Sequence, residues 1–456
     1  MRSLFLSFLA AAALSAVNVR DFGAAGNGSA DDTPAFQKAA GSRHGAIEIP
    51  RGVYRLTRTI TLDTDRHGPL GIRGDGTATI RMAGPGPAFH LKGTHTGTAD
   101  PKTVAPMVWE RQRMPLVDGF AIEGAHPEAD GLRIEGIINP TITRVLIRQV
   151  RHGIVLTGRN RNVIISDCHI YDNRGAGILM ERLNLHQVNI TGCHVSYNRM
   201  GGIVARESEI RNLQVTGCDL EANMSVDGPP SANLLLDTRK GSIREGAITG
   251  CTLQHDGKAP GSANIRMLGT GPHASNKVGF FSIADNTLSD VAINIHLRHA
   301  RGVNITGNTF AQGFEHNLLV EESSNVVLGP NSMDQNPDYD QGISRNDVVF
   351  LDSADSSIHG LHINRSRGKE GSLVLRRCRR FHVTGTTILD SDGIGILLDQ
   401  VEWVRLAGSL IHDSRPGAAD RTAIRLTGGS GNRVEGVVSQ GKLDLSPQSL
   451  GKAKSP

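Results

Sequence analysis

Aromatic side chains are scarce: the 456 residues include 2 Trp, 4 Tyr and 12 Phe, 4% of the chain. A core made without them has to come from Ile, Leu and Val. Beyond residue 16 there is no apolar run near the roughly 18 residues a membrane helix needs, so no membrane span is expected. The chain also lacks Lys/Arg runs interleaved with aromatics, and its net charge is only +4, which argues against nucleic acid as a partner. Five cysteines, an odd number, do not suggest a disulfide scaffold. Amphipathic periodicity of 3.6 residues is missing, which removes helical repeats. Glycine, by contrast, is plentiful at 54 residues without a G-x-y period. With 38% hydrophobic residues the chain is too apolar for disorder, and it reads as many short strands joined by tight turns.

Residues 1–16, MRSLFLSFLAAAALSA, combine one Arg, an apolar stretch and small residues around Ala13 and Ala16. This is the pattern of a secretory signal peptide and predicts a secreted or periplasmic protein. Arg outnumbers Lys, and the guanidinium fork suits bidentate contact with carboxylates, as on an acidic partner.

A repeat then organises the chain. Cys168, Cys193 and Cys218 are 25 residues apart, in VIISDCHIYDN, VNITGCHVSYN and LQVTGCDLEAN, and Cys251 repeats the phrase in AITGCTLQHD. Each copy is followed by a short aliphatic strand, from GLRIE (131–135) and GILME (177–181) to GILLD (395–399) and AIRLT (423–427). The spacings between these strands run from 22 to 31 residues. Each unit holds three strand-like pieces, with inward aliphatics alternating with outward neighbours. Between them lie Gly, Asn and Asp, which tolerate left-handed backbone angles. One unit cannot bury its own face, so units must stack. Three strands per coil without a helical period predict an all-β fold, a right-handed parallel β-helix with three sheets and about 12 coils, spaced about 4.8 Å apart. Its expected limits are 17–441, with an N-terminal cap over 17–60 and a polar tail over 442–456.

Stacking predicts two buried columns. Cys168, Cys193, Cys218 and Cys251 should form a thiol ladder, giving way to Asn286 and Asn308. Ligands in one straight column cannot surround an ion, so no metal is expected there. Asn233, Asn264, Asn294 and Asn317, each just before its strand, should form an amide ladder.

Residues 17–56 contain Thr33 as an N-cap and Pro34 at the first helical position, predicting a short helix over 35–40 that covers the open end of the coil. The pattern V-x-V-x-D-F-G-A-x-G-N-G-x-x-D-D-T-x-A-F-Q-x-A, followed by I-x-I-P-x-G-x-Y-x-L, closely resembles the opening of pectate-lyase-like β-helix proteins. Within that superfamily it is similar to the branch of rhamnogalacturonases, some polysaccharide lyases and epimerases, and phage tailspikes. The resemblance implies a β-helix that handles carbohydrate, with substrate along the outside of one strand column. It supplies no catalytic residues: the N-T-D, D-D, G-H-G and R-I-K set of polygalacturonases and the D-P-H-D/E motif of alginate epimerases are absent.

Alternation identifies one outer face. Glu135, Glu181, Arg206, Asp237, Arg266, His296, Arg298 and Glu321 should project from successive coils. On this reading the catalytic candidates are Glu181, Arg206, Asp237 and His296. The substrate-binding candidates are Tyr197, Arg199, Arg266, Arg298 and Trp109. A lyase acting on a uronate would use the arginines to neutralise the carboxylate, and His296 or a Tyr as base. A hydrolase would use Glu181 and Asp237, two coils or about 9.6 Å apart, near the roughly 6.5–9.5 Å of an inverting pair. Arg206 between them would alternatively serve only to bridge the two. Long insertions at 90–115, 222–232, 255–263 and 332–347 should wall the site, with Trp109 and Tyr339 available to stack on sugars. No spaced ligand motif marks a metal, and calcium on Asp237, Asp338 and Asp340 stays open. The expected function is an exported enzyme on an acidic polysaccharide, a lyase working by β-elimination. An inverting hydrolase and a non-catalytic carbohydrate binder or adhesin are the alternatives.

Overall fold

The computed structural model describes residues 16–42, 44–271 and 278–451. The leader expected over 1–16 falls, except for residue 16, outside the described residues. So do the last five residues of the expected tail.

The chain winds as a parallel β-helix. In one coil, residues 178–181 form the first face, 188–191 the second and His194–Ser196 the third. The next coil lies in register, pairing Ile178 with Ile203, Ile190 with Val215 and Val195 with Leu220. The third faces make a sheet of 16 strands among the described residues, more coils than the repeat predicted. First and second faces are not separate sheets. Strands such as Ile178–Thr191, Ile203–Thr216 and Ala232–Thr249 run through the corner between them, merging both into one 26-stranded sheet.

Alternation fills the interior. Ile178, Met180, Leu185, Val188, Ile190, Cys193 and Val195 of one coil are all buried, each large aliphatic contributing about 1.5–3 kcal/mol. Four aromatics, Phe36, Tyr54, Phe89 and Phe120, gather at the N-terminal end of the coil. Phe36 of the helix Thr33–Gly41 meets Tyr54 edge-on at 5.5 Å, and Phe89 packs on Phe120 at 5.7 Å, which plugs the N-terminal end. The cap differs in detail from expectation. Asp32 occupies the cap position and Thr33 is the first residue inside, but the Asp32 side chain does not cap the helix: its carboxylate accepts the N–H groups of Ala25 and Gly26, while Thr33 Oγ1 accepts from Thr57 N–H. At the other end Lys442–Leu445 pairs with the strand Thr422–Ser430, so the last coil continues past 441.

Both ladders are present. Cys168, Cys193, Cys218 and Cys251 are buried and free, and the column continues as Cys251 N–H donates to Asn286 Oδ1 at 3.0 Å and Asn286 Nδ2 to Asn308 Oδ1 at 2.9 Å. The fifth cysteine, Cys378, stands apart, and burial pushes its thiol up to about 12, leaving it inert. The amide ladder is longer than the strand pattern suggested. Asn173, Asn198 and Asn223 precede Asn233, Asn264, Asn294 and Asn317, each amide donating to the next at 2.7–2.9 Å. Glycines make room for it: a Cβ on Gly202 would lie 2.8 Å from Asn223 Nδ2.

Every interior amide of this row is both donor and acceptor, so one deletion strands two neighbours. Asn198→Ala is expected to lower stability by about 1–3 kcal/mol in urea unfolding, whereas Tyr197→Ala on the exposed corner beside it changes it by less than about 0.5 kcal/mol. Equal effects of the two would contradict a stabilising amide row.

Candidate functional site

The first face carries the charges that alternation predicts, and they are spent on one another. Glu181, Arg206 and Asp237 sit in register on successive coils. Arg206 Nε lies 2.6 Å from Glu181, which Arg182 also contacts at 3.2 Å. Asp237 is taken by Arg239 at 2.5 Å, so Arg206 does not bridge the two carboxylates. Burial works to raise the Asp237 pKa, but the Arg239 hydrogen bonds outweigh it and hold the carboxyl below the usual range. His296 belongs to a second group. Its Nε2 is 2.8 Å from Glu321, and Arg266 Nε donates to its Nδ1 at 3.3 Å. Arg266 is buried and pinned by Ser231 O at 3.1 Å and Gly261 O at 2.6 Å, both in the lengthened turns. The His296 hydrogen bond lowers the Glu321 pKa. Arg298 pairs with Glu322 at 3.4 Å. Beside these groups runs an outward apolar stripe, Leu179 and Val204 against Val155 and Leu235.

The remaining candidates lie elsewhere. Tyr197 and Arg199 are exposed on the corner between third and first faces. Trp109, in the short helix Pro106–Arg111, packs on Val104, Val108 and Ile138 and faces the second face. Asp340 is engaged by Arg367 at 2.7 Å, and among the described residues Asp237, Asp338 and Asp340 belong to no converging ligand group.

Trp109 instead walls a hollow of about 660 Å³ that sequence reasoning missed. Its floor is two rows of uncharged side chains. Thr141, Ile164, Asn189 and Gln214 stand in register across four coils. Asn139, Asn162, Gln187 and Asn212 line the corner, each at a left-handed φ between 51° and 66°. Arg113 and Met114 complete the wall, and no carboxylate lines it. The signal was present at the 25-residue period, as an amide just before Val163, Val188 and Leu213. It carried no charge and so did not stand out.

A cationic corner flanks this floor. Arg161, His186 and Arg211 are in register immediately before the corner amides. Arg161, 6% exposed, donates to Thr98 O at 2.8 Å and Ala99 O at 2.7 Å, holding the 93–115 loop over the coil. Within that loop His95 is 1% exposed with both ring nitrogens unpartnered. Burial, then Arg159 and Arg161, pull its pKa down to about 4. The same causes lower His186, with Arg161 ahead of Arg159 and only Glu245 opposing. His186 Nε2 lies 3.5 Å from the groove residue Asn212. On the third face, a further hollow of about 680 Å³ gathers His255, Asp290, Asp334, Phe314 and Tyr339.

The family described as right handed beta helix region matches residues 115–255 and 273–438. No curated protein matches the chain. The tailspike protein gp49 from Pseudomonas phage LKA1 is similar over 91% of this chain and 83% of its own, at 14% identity and a TM-score of 0.56. Gene product 12 of bacteriophage phi29, in its pre-mature form, is similar over 95% of this chain and 57% of its own, at 15% identity and 0.56. The A-module of an Azotobacter vinelandii mannuronan C-5 epimerase covers 92% and 98%, at 15% identity and 0.41. At these identities the likeness is one of fold.

His95 gives a measurable consequence. The folded chain resists its protonation, while the unfolded chain takes the proton up near 6.5, so stability falls as pH drops from about 6.5 to about 4. His95→Gln should remove that part of the slope in Tm against pH; an unchanged slope would contradict the placement of His95.

Proposed function

The chain belongs to the right-handed β-helix family, and from that premise we propose that it is an exported enzyme that lays an acidic polysaccharide along the second face and cleaves it by β-elimination. One observation carries this reading: a corner of guanidinium groups, Arg159 and Arg161, with the imidazole of His186 beside it, borders a floor of amides with no carboxylate among the lining residues. Amides and the Trp109 ring suit sugar hydroxyls and sugar faces. Arg113 and the corner supply charge for a uronate carboxylate. Elimination requires that carboxylate to be neutralised, the proton on the adjacent carbon to be removed, and the glycosidic oxygen to leave. The electron pair of the broken C–H bond becomes the new C=C bond, and the leaving oxygen takes a proton. His186 is the base of this reading, since burial and Arg161 keep its imidazole neutral.

A second reading rests on the third-face hollow, where Asp290 and Asp334 are two coils or about 9.6 Å apart, beside Tyr339. That spacing suits an inverting hydrolase.

Incubation with a panel of uronate polymers separates the classes. Elimination gives ultraviolet-absorbing unsaturated ends, the hydrolase only reducing ends, and a non-catalytic binder neither. With elimination observed, His186→Ala should lose at least about 100-fold in kcat with binding retained, and Trp109→Ala about tenfold in affinity. Activity should persist at mildly acid pH and fall only below the ordinary imidazole range. A fully active His186→Ala enzyme would contradict the assignment.

A further inference from the structure

We infer that the third face carries a site for a zinc-type divalent transition cation, held by His194, Asp219 and Glu221. The three come from two adjacent strands, His194–Ser196 and Asp219–Glu221, with His194 directly opposite Asp219 and Glu221 opposite Ser196. Buried Val195 and Leu220 fix the alternation, so all three side chains project from the same side of the sheet. Their ligand atoms lie within 4.8 Å of one another, and His194 Nε2 is 3.4 Å from Asp219 Oδ2. A tetrahedral ion with bonds of about 2.0–2.1 Å holds its ligands about 3.3–3.4 Å apart. The His–Asp edge is therefore already at the separation such an ion requires, and a rotation of Glu221 closes the third corner.

Two further observations set this group apart from the ordinary surface. Many carboxylates on these faces are matched by guanidinium, as Glu123 by Arg148 at 2.5 Å and Asp352 by Arg377 at 2.6 Å. Asp219 and Glu221 have only imidazoles as ionic partners among the described residues, His194 and, at 3.7 Å, His255. Asp219 Oδ1, moreover, is screened from solvent and has no hydrogen-bond partner. The group thus gathers two carboxylates and an imidazole with no fixed cation between them. Nearby, the His169 ring packs edge-on to His194 at 5.9 Å, limiting its rotation.

The ligand chemistry selects the ion. Imidazole with carboxylates suits zinc and its first-row neighbours, while calcium prefers six to eight oxygens, more than this group offers. Three protein ligands leave a fourth position for an exchangeable water.

Titration of the chelator-treated full chain with Zn2+ by calorimetry, and with Co2+ by visible absorption, tests the site. One Zn2+ per chain is expected, with millimolar Ca2+ failing to displace it. His194→Ala and Asp219→Asn should each weaken binding at least tenfold. His362→Ala, farther along the same row, should leave it unchanged. Circular dichroism checks that each variant is folded, and Glu221→Gln, the mildest change, should weaken binding if the others do not fold. A Co2+ spectrum identical in wild type and His194→Ala, or wild-type protein that takes up no Zn2+, overturns the inference.

Discussion

Parallel stacking in register governs this molecule. Each coil finds the partners for its backbone N–H and C=O groups in the coils above and below, so each residue lies over its equivalent, about 4.8 Å away. A side chain that suits one coil must also suit contact with its own kind. That rule produces the aliphatic interior, the thiol column and the row of amides from Asn173 to Asn317. It also fixes the outside, since outward residues become rows as well. A row of Arg, His and Arg, or of Asn, Gln and Asn, is a surface of one chemical character extended along the axis, which is what a polymer with a regular repeat can use.

The faces differ in how their rows are satisfied. On the first face, opposite charges fall next to each other and pair, as Glu181 with Arg206 and His296 with Glu321. On the second face the loop 93–115 folds over Arg161 and meets its guanidinium with backbone carbonyls at Thr98 and Ala99. Cationic character is therefore retained beside the amide floor. An insertion in one early coil thus converts a plain outer sheet into a walled groove.

The repeat, the direction of alternation, the cap and both ladders were legible in the sequence because each depends on spacing alone. The amide ladder was read only in part. Across the insertion at 222–232 the row passes from a position just after the third-face strand to one at the start of the first-face strand, so Asn173, Asn198 and Asn223 did not share the phrase that marked Asn233. Outward charges on the first face were legible too, but their partners were not. Arg239 reaches Asp237 from two residues along the chain, and Arg266 is held by loop carbonyls that no periodicity places. The groove escaped notice for two reasons: amides carry no charge to draw attention, and its wall comes from a loop whose direction only tertiary structure determines.

The most direct measurement of the central claim is a crystal structure of the His186→Ala protein soaked with a uronate oligosaccharide. The account places the sugar chain across Asn162, Asn189 and Asn212, with Trp109 against a ring and a carboxylate turned toward Arg113 or Arg161. Oligosaccharide bound along the first face at Glu181 and Arg206, or in the third-face hollow at Asp290 and Asp334, would contradict it.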